Sequence, residues 1–219
     1  MVELLDRGYI KYIEHWGSDE RIIEAARMST NKGFTSWGPI HETPEVCRLH
    51  PEYCQCEVLK EGDEKLLRYL WEHKHYSPFE MAGLIVEIQA PLFVVREWQR
   101  HRTQSIPDDT FPGDDSYNEL SGRYTTLPDV YYVPSVERLM AGKQSQKNKQ
   151  GSEAGFTETE ALRLQSDIVY ASEQSRKMYE HLLSVGLSRE LARLIIPVNQ
   201  YTRFRASANL RNWLAFLSL

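Results

Sequence analysis

A chain of 219 residues, 41% hydrophobic and 26% charged, can bury one real core, in a single domain or in two small ones closely merged. Its net charge of −5 argues against a general nucleic-acid binder, which carries a basic face. No apolar run approaches the ~20 residues that span a bilayer, and "MVELLDRGYIKYIEHWG" lacks the layout of an export signal, so no membrane partner and a reducing, cytoplasmic setting are expected.

In chain order, "GYIKYIEHW" reads as an early strand and "SDERIIEAARMS" as a helix with Ser18 as N-cap and acids in its first turn. Residues 31–62, rich in Gly, Pro, Thr and Cys, read as a long insertion. All three cysteines, Cys47, Cys54 and Cys56, fall in it, with His41 and His50 close by. Thiolates and imidazoles suit zinc, but the usual C-x-x-C pairs are missing and C-x-C is a weak substitute. The expectation is therefore reduced thiols on a surface insertion, with no metal site, and none of the three is placed as an activated nucleophile. "GDEKLLRYLWEHKH" is helical, with Leu66, Leu67, Leu70 and Trp71 on one side. "GLIVEIQA" alternates as a sheet strand does, and Pro91 opens a helix over "PLFVVREWQRHR" as its first helical residue.

Residues 141–157, polar and glycine-containing, read as a mobile loop. A long amphipathic helix follows from Glu158 to Val185, with Leu162, Ile168, Met178, Leu182 and Leu183 as expected core positions. "SRELARLII" is a short helix ended by Pro197, "QYTRFRASA" a strand and "NLRNWLAFLSL" a last helix. Helices and strands mix without βαβ alternation and without an internal repeat, so the fold class is α+β.

The chemistry concentrates in "QRHRTQSIPDDTFPGDDSYNELSGRY". On a continuing helix Arg96 and Arg100 share a face, with Glu97 beside them. The arginine fork suits phosphate oxygens, although a helix C-terminus also attracts cations for its dipole alone. "SYNELSGRY" adds Asn118, Glu119, Ser121 and Arg123 in a loop with Gly122. Such a loop presents N–H groups, a hydroxyl and a guanidinium to one anionic ligand, while Glu119 can accept from a base or ribose. Together these point to a nucleotide pocket without naming a reaction. G-x-x-x-x-G-K-[ST], G-x-G-x-x-G and H-E-x-x-H are all absent from the sequence, which leaves the common NTPase, Rossmann and zinc-protease readings without support.

The same residues resemble the signature of the flavin-dependent thymidylate synthases, R-H-R-T-x-S-x-N-E-x-S-x-R-Y. "RHRTQS" supplies the first half and "YNELSGRY" the second, and removing Ile106 to Ser116 restores the family spacing. Residues 106–116 therefore read as an acidic loop insertion. "EAARMS", carrying Ser29, and "HKHYSPFEM", with Met81 in place of the family's last histidine, extend the likeness, as do "SRELARLIIPVNQYTRF" and "ANLRNWLAFL". The resemblance implies a central mixed or antiparallel sheet flanked by helices, in a homotetramer with shared active sites. It implies FAD held by His75, Ser77, Arg100, His101, Arg102 and Glu119, with Asn209 and Arg211 reaching in from another subunit. It implies deoxyuridine monophosphate (dUMP) bound by Glu97, Arg100, Glu119, Ser121, Gly122, Arg123 and Arg193. Glu97 departs mildly from the family's glutamine, putting a charge where an amide both donates and accepts.

The implied reaction is reductive methylation of dUMP to dTMP, with methylenetetrahydrofolate as carbon donor and NADPH reducing the flavin. The hard chemistry belongs to the cofactor, so no side chain of this chain is singled out as catalytic. Asp108, Asp109, Asp114 and Asp115 would repel ligand phosphates, which implies that the insertion loops outward. In the family the helix matching "NLRNWLAFLSL" runs on into an arginine that contacts the uracil. The expectation is a single domain over 1–219 that is C-terminally incomplete, weak in turnover alone and in need of a complementing segment.

Overall fold

The computed structural model describes residues 1–101 and 117–218, apart from the side chains of Pro44, Leu59 and Lys60. The chain begins with β1 (Val2–Leu4), β2 (Gly8–Trp16), α1 (Asp19–Arg27), β3 (Ile40–His41), α2 (Pro44–Leu49) and β4 (Val58–Lys60). It continues through α3 (Glu64–Glu72), β5 (Gly83–Pro91), α4 (Leu92–Trp98), β6 (Tyr117–Glu119) and α5 (Val136–Met140). The remainder is β7 (Lys143–Gln144), β8 (Ser152–Glu153), α6 (Glu158–Ser184), α7 (Arg189–Ala192), β9 (Tyr201–Asn209) and α8 (Leu210–Leu217). These elements form two compact units, one of residues 1–12, 86–101 and 117–206, the other of 13–85 and 207–218. The chain passes from one to the other inside β2, β5 and β9.

The first unit is organised by a sheet of order β1-β2-β5-β9-β6. Period-two alternation decides which side chains face inward: Val86, Ile88 and Ala90 of β5 are buried, as are Phe204 and Ala206 of β9, whereas Arg203 and Arg205 are exposed. β1 and β6, at the two edges, pair antiparallel with β2 and β9. A Cβ on Gly8 would stand 2.7 Å from the carbonyl oxygen of Leu4 and 3.0 Å from that of Gln89, so only glycine fits this close approach. The strand β6 corrects the sequence reading, which placed all of "SYNELSGRY" in a loop. Pro91 ends β5 and caps α4 rather than standing as its first helical residue.

Helix α6 starts on a capping box, with Thr157 Oγ1 accepting from the Glu160 N–H and Glu160 returning the bond to Thr157 N. Its buried positions are Ala161, Ser172 and Tyr179. The expected core residues fare unevenly: Ile168, Leu182 and Leu183 are half-buried, whereas Leu162 and Met178 are exposed. The inward stripe runs one position away, through Ala161 beside Leu162 and Tyr179 beside Met178, with Ser172 between them. Residues 141–157, read as a loop, contain the hairpin of β7 and β8.

In the second unit, Ile22 of α1, Leu70 of α3, Phe79 and Ala82 form the core, with Leu66, Leu67, Trp71 and Leu210 packed against it. Ser18 caps α1 as expected, accepting from Arg21 N at 3.4 Å. The insertion of residues 31–62 is different in kind. None of its described side chains is buried, and Val46, Leu49, Tyr53 and Val58 stand exposed. Its base is closed by fully buried Asp63, which pairs with Arg27 and accepts from Thr35 N at 2.7 Å.

Candidate functional site

The β6–β9 pairing places the second half of the signature. Glu119 lies opposite Phe204, and Thr202 Oγ1 donates to Glu119 Oε1 at 2.7 Å. Leu120 N bonds Arg203 O at 2.8 Å, which ties the chain to β9 one residue beyond the strand. A turn then closes on Ser121: its carbonyl accepts from Tyr124 N at 3.1 Å, and its hydroxyl accepts from Arg123 N at 3.3 Å. Gly122 is buried, and a Cβ there would press to 3.2 Å on Leu127. Arg123 extends toward Glu190 of α7 at 3.7 Å, with Arg193 immediately after that helix.

A cleft of about 370 Å³ opens beside this edge, lined by Asn118, Glu119, Arg203, Arg205 and Glu87. The sequence reading missed Arg203 and Arg205. The signal was present in "YTRFR", because residues two apart on a strand share a face. Arg205 pairs with Glu87 at 3.3 Å, and Glu87 accepts from the Tyr9 hydroxyl at 3.0 Å. The Tyr9 bond, followed by Arg205, holds the Glu87 carboxyl below its ordinary value, while burial and then Glu87 raise the Tyr9 phenol.

The first half of the signature follows α4. That helix ends at Trp98, so Arg100 stands beyond its cap and does not share a continuing helical face with Arg96, which corrects the sequence reading. Arg100 meets Glu97 at 3.6 Å, both side chains well exposed, and His101 N bonds Trp98 O at 2.9 Å. Arg102 and the insertion 106–116 lie outside the described residues.

The other expected cofactor residues, His75, Ser77, Asn209 and Arg211, belong to the second unit. His75 N bonds Leu70 O at 2.8 Å with its ring edge-on to Tyr69, and Ser77 opens the 3-10 turn Ser77–Met81. Asn209 caps α8, its carbonyl oxygen accepting from Asn212 N at 2.9 Å, which leaves its amide nitrogen to donate elsewhere. Arg211 is held between an ion pair with Glu80 and the Tyr76 ring, 5.9 Å away. The Glu80–Arg211 pair was not foreseen.

The cysteine-bearing insertion forms a third group. His41 Nδ1 and the Sγ atoms of Cys47, Cys54 and Cys56 all lie within 4.8 Å of one another. The Cys47–Cys56 hydrogen bond splits the acidity of that pair, lowering Cys56 to about 6 and raising Cys47 to about 12. His50 points elsewhere, toward Glu52 at 3.8 Å and the Tyr53 ring.

The sequence model of the thymidylate synthase complementing protein family matches residues 11–219. This chain belongs to that family. A flavin-dependent thymidylate synthase of Thermus thermophilus is 34% identical over 218 residues, which are 100% of this chain and 66% of that protein. One from Thermosipho africanus is 33% identical over 219 residues, 99% of this chain and 78% of that protein. The chain thus spans just under two thirds of the length of the Thermus relative. Among solved structures, the UMP/dUMP methylase PolB from Streptomyces cacaoi bound with 5-Br dUMP matches with a TM-score of 0.70 at 28% identity. That match covers 100% of this chain and 80% of PolB. The α+β class and the sheet with flanking helices expected from the sequence are therefore the family's fold.

Proposed function

We propose that this chain methylates dUMP reductively to dTMP, taking its carbon from methylenetetrahydrofolate and its reducing equivalents from NADPH through bound FAD. The observation that carries the reading is the edge of β6, where Glu119 is fixed by Thr202 and followed at once by the Ser121–Gly122–Arg123 turn. A carboxylate, a hydroxyl, N–H groups and guanidinia meet there, as recognition of a pyrimidine nucleoside monophosphate requires. Membership in the family and the nucleotide named for PolB support the same substrate class. The thymidylate synthases of Thermus and Thermosipho, at 34% and 33% identity, favour the deoxy form.

The donor set also fits FAD. Arg100 extends beyond the end of α4 with 77% of its side chain exposed, and His101 follows it. Arg211 is already oriented by Glu80 and Tyr76, and Asn209 keeps its amide donor. Cationic forks suit a diphosphate, and amide and imidazole groups suit a flavin ring. When bound, the flavin supplies the hydride. In this reading Glu97, Arg100, Arg123, Ser121 and Arg193 hold and orient the nucleotide, and Glu119 accepts from it. The net change takes dUMP, methylenetetrahydrofolate, NADPH and a proton to dTMP, tetrahydrofolate and NADP⁺. Arg102 belongs with Arg100 and His101 by motif.

The same proposal includes a cytoplasmic setting and self-association as a homotetramer, with Asn209 and Arg211 serving a neighbouring copy. Self-association is favoured by the apolar side chains that α6 leaves exposed, Leu162, Val169, Tyr170 and Met178; no described helix is long and apolar enough to cross a membrane. The test incubates flavin-loaded protein with methylenetetrahydrofolate, NADPH and either dUMP or UMP, and reads methylated nucleotide by liquid chromatography. dTMP is the expected product. A flavin-loaded protein that forms none overturns the reading, and methylation of UMP alone reassigns the substrate.

A further inference from the structure

The insertion at residues 31–62 poses a physical problem. It buries none of its described side chains, yet it folds into β3, α2 and β4. A segment of this size without a core needs a covalent or metal staple to offset its chain entropy. The pairing of β3 with β4 is short, Ile40 with Lys60 and His41 with Val58, with an irregular register between them. Such a two-stranded ladder is marginal alone.

The staple is visible in the donor atoms. Cys47 Sγ stands 3.1 Å from Cys54 Sγ and 2.9 Å from Cys56 Sγ, and Cys54 and Cys56 are 3.2 Å apart. His41 Nδ1 lies 3.1 Å from Cys56 Sγ and 3.2 Å from Cys54 Sγ. Three sulfurs and one nitrogen thus gather within 4.8 Å of one another, close enough to share a single ion. The sulfur separations are far beyond the ~2.05 Å of a disulfide, and near-equal spacing singles out no pair for one. A zinc ion with Zn–S of about 2.3 Å sets tetrahedral sulfur edges of about 3.8 Å, so the donors need only part by well under an ångström each.

We propose that His41, Cys47, Cys54 and Cys56 bind one zinc ion as a closed structural site. The donor set decides the metal: soft thiolates with one imidazole in tetrahedral array suit zinc, whereas calcium and magnesium take oxygen ligands. It also decides the role. Four protein ligands leave no open position, the mark of a structural rather than a catalytic zinc. The sequence reading set a metal aside because H-x₅-C-x₆-C-x-C lacks paired C-x-x-C knuckles. The fold overcomes that spacing by bringing the donors from different elements: His41 from β3, Cys47 from α2, and Cys54 and Cys56 from the run into β4. A Cys47 N to Thr43 O bond of 3.1 Å and a Glu42 N to Glu57 O bond of 3.2 Å hold those pieces in place. Binding releases the thiol protons, so affinity weakens as pH is lowered. The site is independent of the nucleotide reading, and its test uses no turnover.

The full chain, purified with reductant and with zinc in the medium, is analysed by inductively coupled plasma mass spectrometry, and a cobalt-loaded sample by absorption spectroscopy. The expected results are about one zinc per chain and the intense visible bands of tetrahedral cobalt with thiolate charge transfer. Cys47→Ser and Cys54→Ser should each retain at least about tenfold less zinc against a competing chelator, while His50→Ala, outside the donor set, keeps it. Chelation of the wild type should open residues 31–62 to limited proteolysis. Wild-type protein that takes up neither ion, or variants that hold zinc as the wild type does, overturn the site. A disulfide among the three cysteines in reduced, zinc-grown protein, read by intact mass, overturns it too. If the serine variants fail to fold, the cobalt spectrum of the wild type decides alone.

Discussion

Thr202 Oγ1 donates to Glu119 Oε1 at 2.7 Å from the strand that pairs with β6, so a buried hydroxyl fixes the carboxylate of the proposed nucleotide site. Thr202→Val keeps the shape and removes the donor. A hydrogen bond to a charged group contributes about 1.5–3 kcal/mol, so dUMP affinity by calorimetry should fall about tenfold or more. Thr202→Ser should restore it. Because Thr202 is a positioning residue, the substitution should raise KM more than it lowers kcat. An unchanged dUMP affinity would detach Glu119 from the site.

Flavin retention tests the other half of the signature. His101→Ala and Arg102→Ala each remove a donor proposed for FAD, and both variants should elute with less bound flavin than wild type after identical gel filtration, read by visible absorbance. Charge-assisted contacts to phosphate are about twice as strong as neutral ones, so the arginine variant should lose more. If both hold FAD as firmly as the wild type, these residues do not bind it.

The sequence made much of this legible, and the failures have physical causes. Strand β5 and the cap at Ser18 follow from local periodicity and a single side chain, which need no tertiary knowledge. Helix α6 was found, but Leu162 and Met178 were misplaced because hydrophobicity does not reveal a stripe lined by Ala161 and Ser172. Strand β6 is only three residues long, and its pairing with β9 is non-local, so "YNE" read as loop. The signature motif carried the site residues directly, yet Arg203, Arg205 and the Glu80–Arg211 pair depend on partners distant in sequence. The cysteine cluster was undervalued for the same reason. Knuckle spacing is a local signal, and these four donors converge only once β3 and β4 pair.

The Tyr9–Glu87–Arg205 chain gives a pH dependence with a definite sign. The Tyr9 hydrogen bond and then Arg205 depress the Glu87 carboxyl, with burial opposing them. A depressed carboxyl contributes stability that is present above its unfolded value and lost as pH falls through the folded one. Tyr9 is raised, chiefly by burial and next by Glu87, so its contribution is present below its unfolded value and lost as pH rises through the folded one. Both act together across the neutral range. Tyr9→Phe should return Glu87 toward its ordinary value in a carbon-13 carboxyl titration. The stability gap between wild type and variant, from urea unfolding, should be largest near neutral pH and shrink on acidification. A gap that widens in acid would contradict the linkage.

Asp63 sits fully buried where the insertion leaves the second unit, between the Arg27 guanidinium and the Thr35 N–H. Asp63→Ala strands both donors, because Arg27 is only 27% exposed and keeps just the Thr35 hydroxyl, 3.2 Å away. Breaking a buried pair by deleting one partner costs about 3–5 kcal/mol, which for a chain of this size lowers Tm by on the order of 10 °C. The paired substitution Arg27→Met with Asp63→Leu leaves no lone charge and should be less damaging than Asp63→Ala, since apolar groups can replace a buried pair at little cost. Asp63→Asn, which keeps the shape and one acceptor, should fall between them. Calorimetric melting of all three with zinc present separates this anchor from the proposed metal staple. An Asp63→Ala protein melting within about 1 °C of wild type would show that solvent readily replaces the carboxylate, and that the base of the insertion is held by its backbone bonds alone.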